Sequence, residues 1–191
     1  MRTIATFFVF IVFNAGAQDV TYSTNVTENY ENGVLAYKSL DISKAISFFS
    51  ECIKEDSSCF EAYLGLGLIY FEENDYLKTL SNCEEAKRIR PFDRTLIGLT
   101  GKAYYLLADY IKAEEHLKQA ISIGNDSNTN RLYLALSLQK VSKNKEALLY
   151  FEELMAPGNT HRPMYDQNGE YPWHQYETIT PSIFLAIELL P

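Results

Sequence analysis

The 191-residue chain has little of what catalysis, cofactor binding or membrane residence requires. No segment offers the roughly 20 consecutive apolar residues of a spanning helix. It holds no Gly-x4-Gly-Lys phosphate loop, no His-Glu-x-x-His and no Gly-x-Ser-x-Gly. Gly65-Leu66-Gly67 begins like a dinucleotide fingerprint, but Tyr70 stands where the third glycine is needed. Histidine is scarce: His116 lies beside Glu114 and Glu115, as on a solvated helix face, and His161 and His174, with Asp166 and Glu170 between them, lack metal-ligand spacing. No cofactor or metal is expected. Basic residues are few, 17 against 25 acidic ones for a net charge of −8, which argues against nucleic acid or an anionic membrane surface as partner. Acidic pairs such as Glu72-Glu73, Glu84-Glu85 and Glu152-Glu153 read as solvated charge, since catalytic carboxylates need a cleft that shifts their pKa. Three cysteines cannot all pair. Cys52 and Cys59 either form a disulfide across a repeat junction in an oxidising compartment or, like Cys83, are small buried side chains.

What is present is a period. Ala45, Thr79, Ala113 and Ala147 are 34 residues apart, as are Gly33, Gly67, Gly101 and Ala135. Counting position 1 at Val26, Phe60, Arg94 and Asn128 yields four repeats, 26–59, 60–93, 94–127 and 128–161, without insertion or deletion. Asp41, Asp75 and Asp109 share position 16, where a carboxylate caps the free N–H groups of a second helix in each repeat. The fourth copy has Lys143 there, with Ser142 beside it as a substitute cap. Ser58-x-x-Glu61 reads as a capping box for the second repeat, and Asn25 with Glu28 as its counterpart in the first. The spacing predicts helices over 26–40, 43–56, 60–73, 76–89, 93–107, 110–123, 128–141 and 144–156.

The second copy carries Tyr63, Leu66, Gly67, Tyr70, Ala86 and Pro91, the third Gly101, Tyr104, Ala113, Leu117 and Ala120, and the fourth Leu134, Ala135, Ala147 and Phe151. In these residues the chain resembles the tetratricopeptide-repeat (TPR) family, whose pattern is Trp-x2-Leu-Gly-x2-Tyr, then Ala-x3-Phe, then Pro. Departures such as Thr79 for alanine, Cys83 for phenylalanine, and Ser57 and Asn125 for proline are scattered and leave the register intact. The resemblance implies an all-α solenoid of helical hairpins in which small residues at positions 8 and 20 let the two helices of a repeat cross closely. It also implies a concave groove lined by the first helix of each repeat. Positions 5, 9 and 12 fall on Tyr30, Val34 and Tyr37; Leu64, Leu68 and Phe71; Gly98, Lys102 and Tyr105; and Leu132, Leu136 and Gln139. The candidate partner-binding residues are Tyr37, Leu64, Leu68, Phe71, Lys102, Tyr105, Leu132 and Leu136, with Tyr37, Leu68, Phe71 and Tyr105 as anchors. The family's clamp for a terminal carboxylate, Lys at 5 and Asn at 9, is missing.

The chain ends add two expectations. Met1-Arg2-Thr3, an apolar stretch from Ile4 to Phe13 and Asn14-Ala15-Gly16-Ala17 have the order of a secretory signal peptide, cleaved before Gln18. An uncleaved anchor is the other reading. Residues 18–25 are expected to be a flexible arm, and the mature protein is expected in a periplasm or secreted, with no membrane span. Asn25-Val-Thr27 and Asn125-Asp-Ser127 match the glycosylation pattern but are taken as chance matches in a bacterial protein. Beyond Pro157 the period stops: 162–191 is a tail with Tyr165, Tyr171, Trp173 and Tyr176 and an apolar helix over 181–190 opened by Pro181. It either caps the last repeat or lies in the groove as a built-in peptide.

Together these features predict a non-catalytic protein-interaction scaffold or adaptor of the cell envelope, with a protein or peptide segment as partner. Two alternatives remain: a self-associating structural repeat protein, and a glycan-binding protein that uses the aromatic tail.

Overall fold

The computed structural model describes residues 22–155. These form α1 (Thr24–Lys38), α2 (Ile42–Glu55), α3 (Phe60–Glu72), α4 (Tyr76–Ile89), α5 (Arg94–Leu106), α6 (Tyr110–Ser122), α7 (Asn128–Lys140) and α8 (Asn144–Met155), with no strand among the described residues. Each expected helix is present, with ends displaced by two residues at most. The signal segment 1–17, the tail 162–191 with its capping helix, and His161, His174 and Trp173 lie outside the described residues.

Helix starts follow from side-chain chemistry. The side chains of Asp41, Asp75 and Asp109 accept the backbone N–H of Lys44, Lys78 and Lys112, and each also pairs with that lysine's ammonium at 2.7, 2.8 and 3.0 Å. Asp-x-x-Lys is thus a repeated capping unit, one turn of helix closed at both ends. The expected caps of the first helices are corrected. Ser23, not Asn25, caps α1, and α3 begins after Cys59 with no side-chain cap of its own. Ser58 bonds Asp56 instead, at 2.6 Å. The N–H of Phe60 donates to the phenol oxygen of Tyr22 at 3.3 Å, and that phenol donates to Glu61 at 2.6 Å. Glu61 also binds Arg90 at 2.7 Å. The flexible arm expected over 18–25 is thus corrected at its described residues: Tyr22 supplies the cap that α3 lacks, Ser23 caps α1, and Thr24 and Asn25 belong to α1.

The ends of the first helices also repeat. Leu40, Asn74, Ala108 and Ser142 all have φ between +61° and +63°. After each, the next N–H reaches back to Ala36, Tyr70, Tyr104 or Leu138 across six residues, the left-handed C-terminal motif usually built on glycine. Ser142 therefore occupies the left-handed position and not that of the expected substitute cap.

Within each repeat the helices cross where the small residues lie. Ala45, Thr79, Ala113 and Ala147 are fully buried, and the Thr79 hydroxyl is satisfied by the carbonyl of Asp75 at 3.1 Å. A methyl group at Gly33 would stand 2.7 Å from the Phe49 ring, and one at Gly101 2.7 Å from Leu117. At Gly67, opposite the smaller Cys83, the distance is an ordinary 3.5 Å. The core runs along the array as three clusters, centred on Phe49 and Ile69, on Leu96 and Leu99, and on Leu134, Leu138 and Phe151. Cys52 and Cys59 are free thiols buried in the first cluster, and the Cys52 thiol donates to the carbonyl of Val26 at 3.4 Å.

Successive first helices touch, α1 with α3, α3 with α5 and α5 with α7, while no comparable contact joins α2 to α4 or α4 to α6. The layer whose members are in contact is the inside of the curve, so α1, α3, α5 and α7 form the concave wall.

Candidate protein-binding groove

The concave wall is built from the first-helix register. Position 12 places an aromatic side chain on the first helices of three consecutive repeats, Tyr37 on α1, Phe71 on α3 and Tyr105 on α5, each half-buried. Their rings are held from the side. Phe71 meets Tyr76 edge-on at 5.7 Å, and Tyr105 meets Tyr110 at 5.6 Å and Tyr133 edge-on at 5.1 Å. The Tyr37 hydroxyl donates to Glu72 at 2.5 Å, joining α1 to α3 across the groove. Burial, then this hydrogen bond to an anion, pushes the Tyr37 phenol up to about 12, and burial raises that of Tyr105. Both remain neutral donors at physiological pH. Rigid aromatics with two torsions each lose little entropy on binding, which is why such groups dominate interfaces.

Position 9 forms a second row, Val34, Leu68, Lys102 and Leu136. Leu68 is exposed, at 37%, and the others are half-buried. The Lys102 ammonium lies 5.4 Å from the centroid of the Phe71 ring, and burial lowers its pKa from the ordinary lysine value. Of the remaining candidates, Leu64 is half-buried and packs against the cluster of Leu96 and Leu99. Leu132 is only 6% exposed and committed to the core, so it has little surface to give a partner. Gly98 is buried too: a side chain there would meet the amides of Asn125 and Asn130 at 2.8 and 3.0 Å. The structure thus brings together Tyr37, Leu68, Phe71, Lys102, Tyr105 and Leu136 along the wall.

Two residues outside the expected lining also contribute. Glu72 is exposed, as expected of its acidic pair, and in addition accepts the Tyr37 hydroxyl, while Tyr133 falls one position off the expected lining. His116, expected on a solvated face, is half-buried, its ring 5.3 Å from Tyr104 and its Nδ1 3.0 Å from the Lys112 carbonyl. Its neighbour Glu114 is buried, 8% exposed, and binds Lys118 at 2.8 Å and Lys143 at 2.7 Å.

Burial pushes the thiols of Cys52 and Cys83 up to about 12 and about 11, so neither supplies a thiolate nucleophile. No group of three metal-ligating side chains occurs among the described residues, and no helix there is long and apolar enough to cross a membrane.

Comparison with solved structures fixes the fold. The chain is similar to MamA from Desulfovibrio magneticus RS-1, with a TM-score of 0.63 at 20% identity over 69% of this chain and 75% of that one. YrrB, a TPR protein with an unusual peptide-binding site, superposes with a TM-score of 0.62 at 21% identity over 66% of this chain and 65% of that one. The Arabidopsis OM64 TPR domain gives 0.57 at 20% identity over 60% of this chain and 94% of that domain. The chain has the tetratricopeptide-repeat fold. By sequence, 85 residues are 38% identical to cilia- and flagella-associated protein 70 of Homo sapiens and of Macaca fascicularis. That match takes in 44% of this chain, which spans only 8% of the length of those relatives. No family model matches the sequence.

Proposed function

We propose that the chain is a non-catalytic scaffold or adaptor of the cell envelope, and that its concave wall holds a segment of a partner protein. One observation carries the reading: three consecutive first helices each present a braced, half-buried aromatic ring at the same register position, beside an exposed leucine. A continuous apolar strip of this kind is more than scattered surface hydrophobicity and marks an interaction site. The fold supports the reading, since helical-hairpin arrays present extended concave surfaces to partners. The envelope location rests on the order of residues in Met1–Ala17. Sequencing the N-terminus of the protein recovered from an envelope fraction checks it, with Gln18 as the expected first residue.

The groove is tested by crosslinking capture from the native envelope with the Phe71→Ala/Tyr105→Ala variant beside the wild type. The expected result is loss of the wild-type partner with helicity retained, because truncating an interface anchor costs about 2 kcal/mol or more. Unchanged capture would place the partner elsewhere.

A further inference from the structure

Among the described residues the groove contains one half-buried cation that no carboxylate neutralises. Among the described residues Lys44, Lys78, Lys112, Lys118 and Lys143 are each ion-paired. Lys38, Lys54, Lys87, Lys140 and Lys145 are exposed. Lys102 alone is half-buried with no carboxylate within 4.0 Å, its ammonium held over the face of Phe71. It replaces, at register position 9, the aliphatic residue found in the other three repeats, Val34, Leu68 and Leu136. An aliphatic side chain there would avoid the cost of stripping water from an ammonium, and the ring face compensates only in part. Other desolvated charges among the described residues are paired: Glu114 with two lysines, Glu61 with Arg90, and Arg131 with Asp126. Lys102 is therefore an unmet positive charge at the centre of an apolar wall. Glu72, at the end of α3, is exposed and accepts the Tyr37 hydroxyl, and it forms no ion pair with Lys102.

Building on the proposal that the wall holds a partner segment, we propose that this segment carries an Asp or Glu side chain, flanked by aliphatic or aromatic residues, that pairs with Lys102. The apolar flanks fill the rows of Leu68, Leu136, Phe71 and Tyr105, while the carboxylate excludes neutral and basic competitors. A lysine that must otherwise stay desolvated and alone rejects a cation more strongly than it attracts an anion, so its main effect is on specificity.

The test is selection of a random 12-residue peptide phage library on the full chain, on Lys102→Met and on Lys102→Glu. Circular dichroism establishes that all three are folded. The wild type is expected to enrich peptides with one Asp or Glu between apolar residues, and a resynthesised winner to bind at least fivefold more weakly when that residue is made Gln or Asn. Lys102→Met should bind the winner at least fivefold more weakly and be indifferent to the exchange, and Lys102→Glu should enrich Lys or Arg instead. Enrichment of neutral or basic peptides by the wild type, or equal binding of the acidic winner by Lys102→Met, overturns the charge assignment and leaves the groove standing. Winners that match residues 165–178 of the chain assign the groove to its own tail and overturn the partner proposal. A wild type that enriches nothing overturns the groove reading and this inference with it.

Discussion

Single residues set how closely the two helices of a repeat approach, and in the first three repeats the room at the position-8 glycine depends on the residue opposite at position 24. Gly33 faces Phe49 and Gly101 faces Leu117, with no room for a methyl group, whereas Gly67 faces Cys83 across 3.5 Å. Gly67→Ala should therefore stabilise the protein by about 0.5–1 kcal/mol through reduced freedom of the unfolded chain. Gly101→Ala should destabilise it by about 1–3 kcal/mol, since Leu117 and its own backbone N lie within 3.1 Å of the new atom. Urea unfolding of the two variants checks both signs. If Gly101→Ala were as stable as Gly67→Ala, the matched crossing would be wrong. The sequence displayed both small positions through their period. It did not display the left-handed backbone at Leu40, Ala108 and Ser142, because none of these is the glycine that announces such a site.

At the level of elements, the junction between the third and fourth repeats is held by charge where the earlier hairpins use Asp-x-x-Lys. Lys143 and Glu146 reverse that unit, and both turn toward the third repeat: Lys143 binds Glu114, and Lys118 bridges Glu114 and Glu146 at 2.8 and 3.1 Å. Burial alone would raise the Glu114 carboxyl, but hydrogen bonds from Lys118 and Lys143 outweigh it and hold the group below its ordinary value of 4.5. A carboxylate depressed in the folded state contributes stability that is complete above its unfolded value and is lost as pH falls through the folded one. Glu114→Gln should thus cost about 1 kcal/mol at pH 7, a modest amount because both lysines are still partly solvated. The variant should also lose less stability than the wild type between pH 5 and pH 3. Asp41, Asp75 and Asp109, whose carboxyls are also lowered by hydrogen bonds to their lysines, keep an acid dependence in both proteins. Parallel curves of stability against pH would contradict the network. The helix order and ends, and the three aspartate caps, were legible in the sequence because each is a local pattern with a fixed period. The Glu114 network and the Tyr22 cap were not, since they join residues 28 to 39 positions apart through contacts that only stacking creates. The same limit explains the candidate groove. The resemblance, carried over through the register, marked the rows of Tyr37, Phe71 and Tyr105 and of Leu68 and Lys102, but it could not tell that Leu132 and Gly98 turn inward, or that Tyr133 braces Tyr105.

For the molecule as a whole, stacking along the array leaves two unlike faces. The inner layer of α1, α3, α5 and α7 carries the aromatic row and Lys102. The outer helices carry isolated exposed apolar residues, such as Leu77 at 71% and Ile111 at 72%, in the first turns of α4 and α6. The central claim, that the inner face is where a partner is held, is tested most directly by site-specific photocrosslinking in the native envelope. A benzophenone amino acid is placed in turn at Leu68, on the inner wall, and at Leu77, on the outer layer. The account predicts a discrete higher-mass adduct from Leu68, diminished when Lys102→Met is added, and none from Leu77. An adduct from Leu77 with none from Leu68 would contradict it.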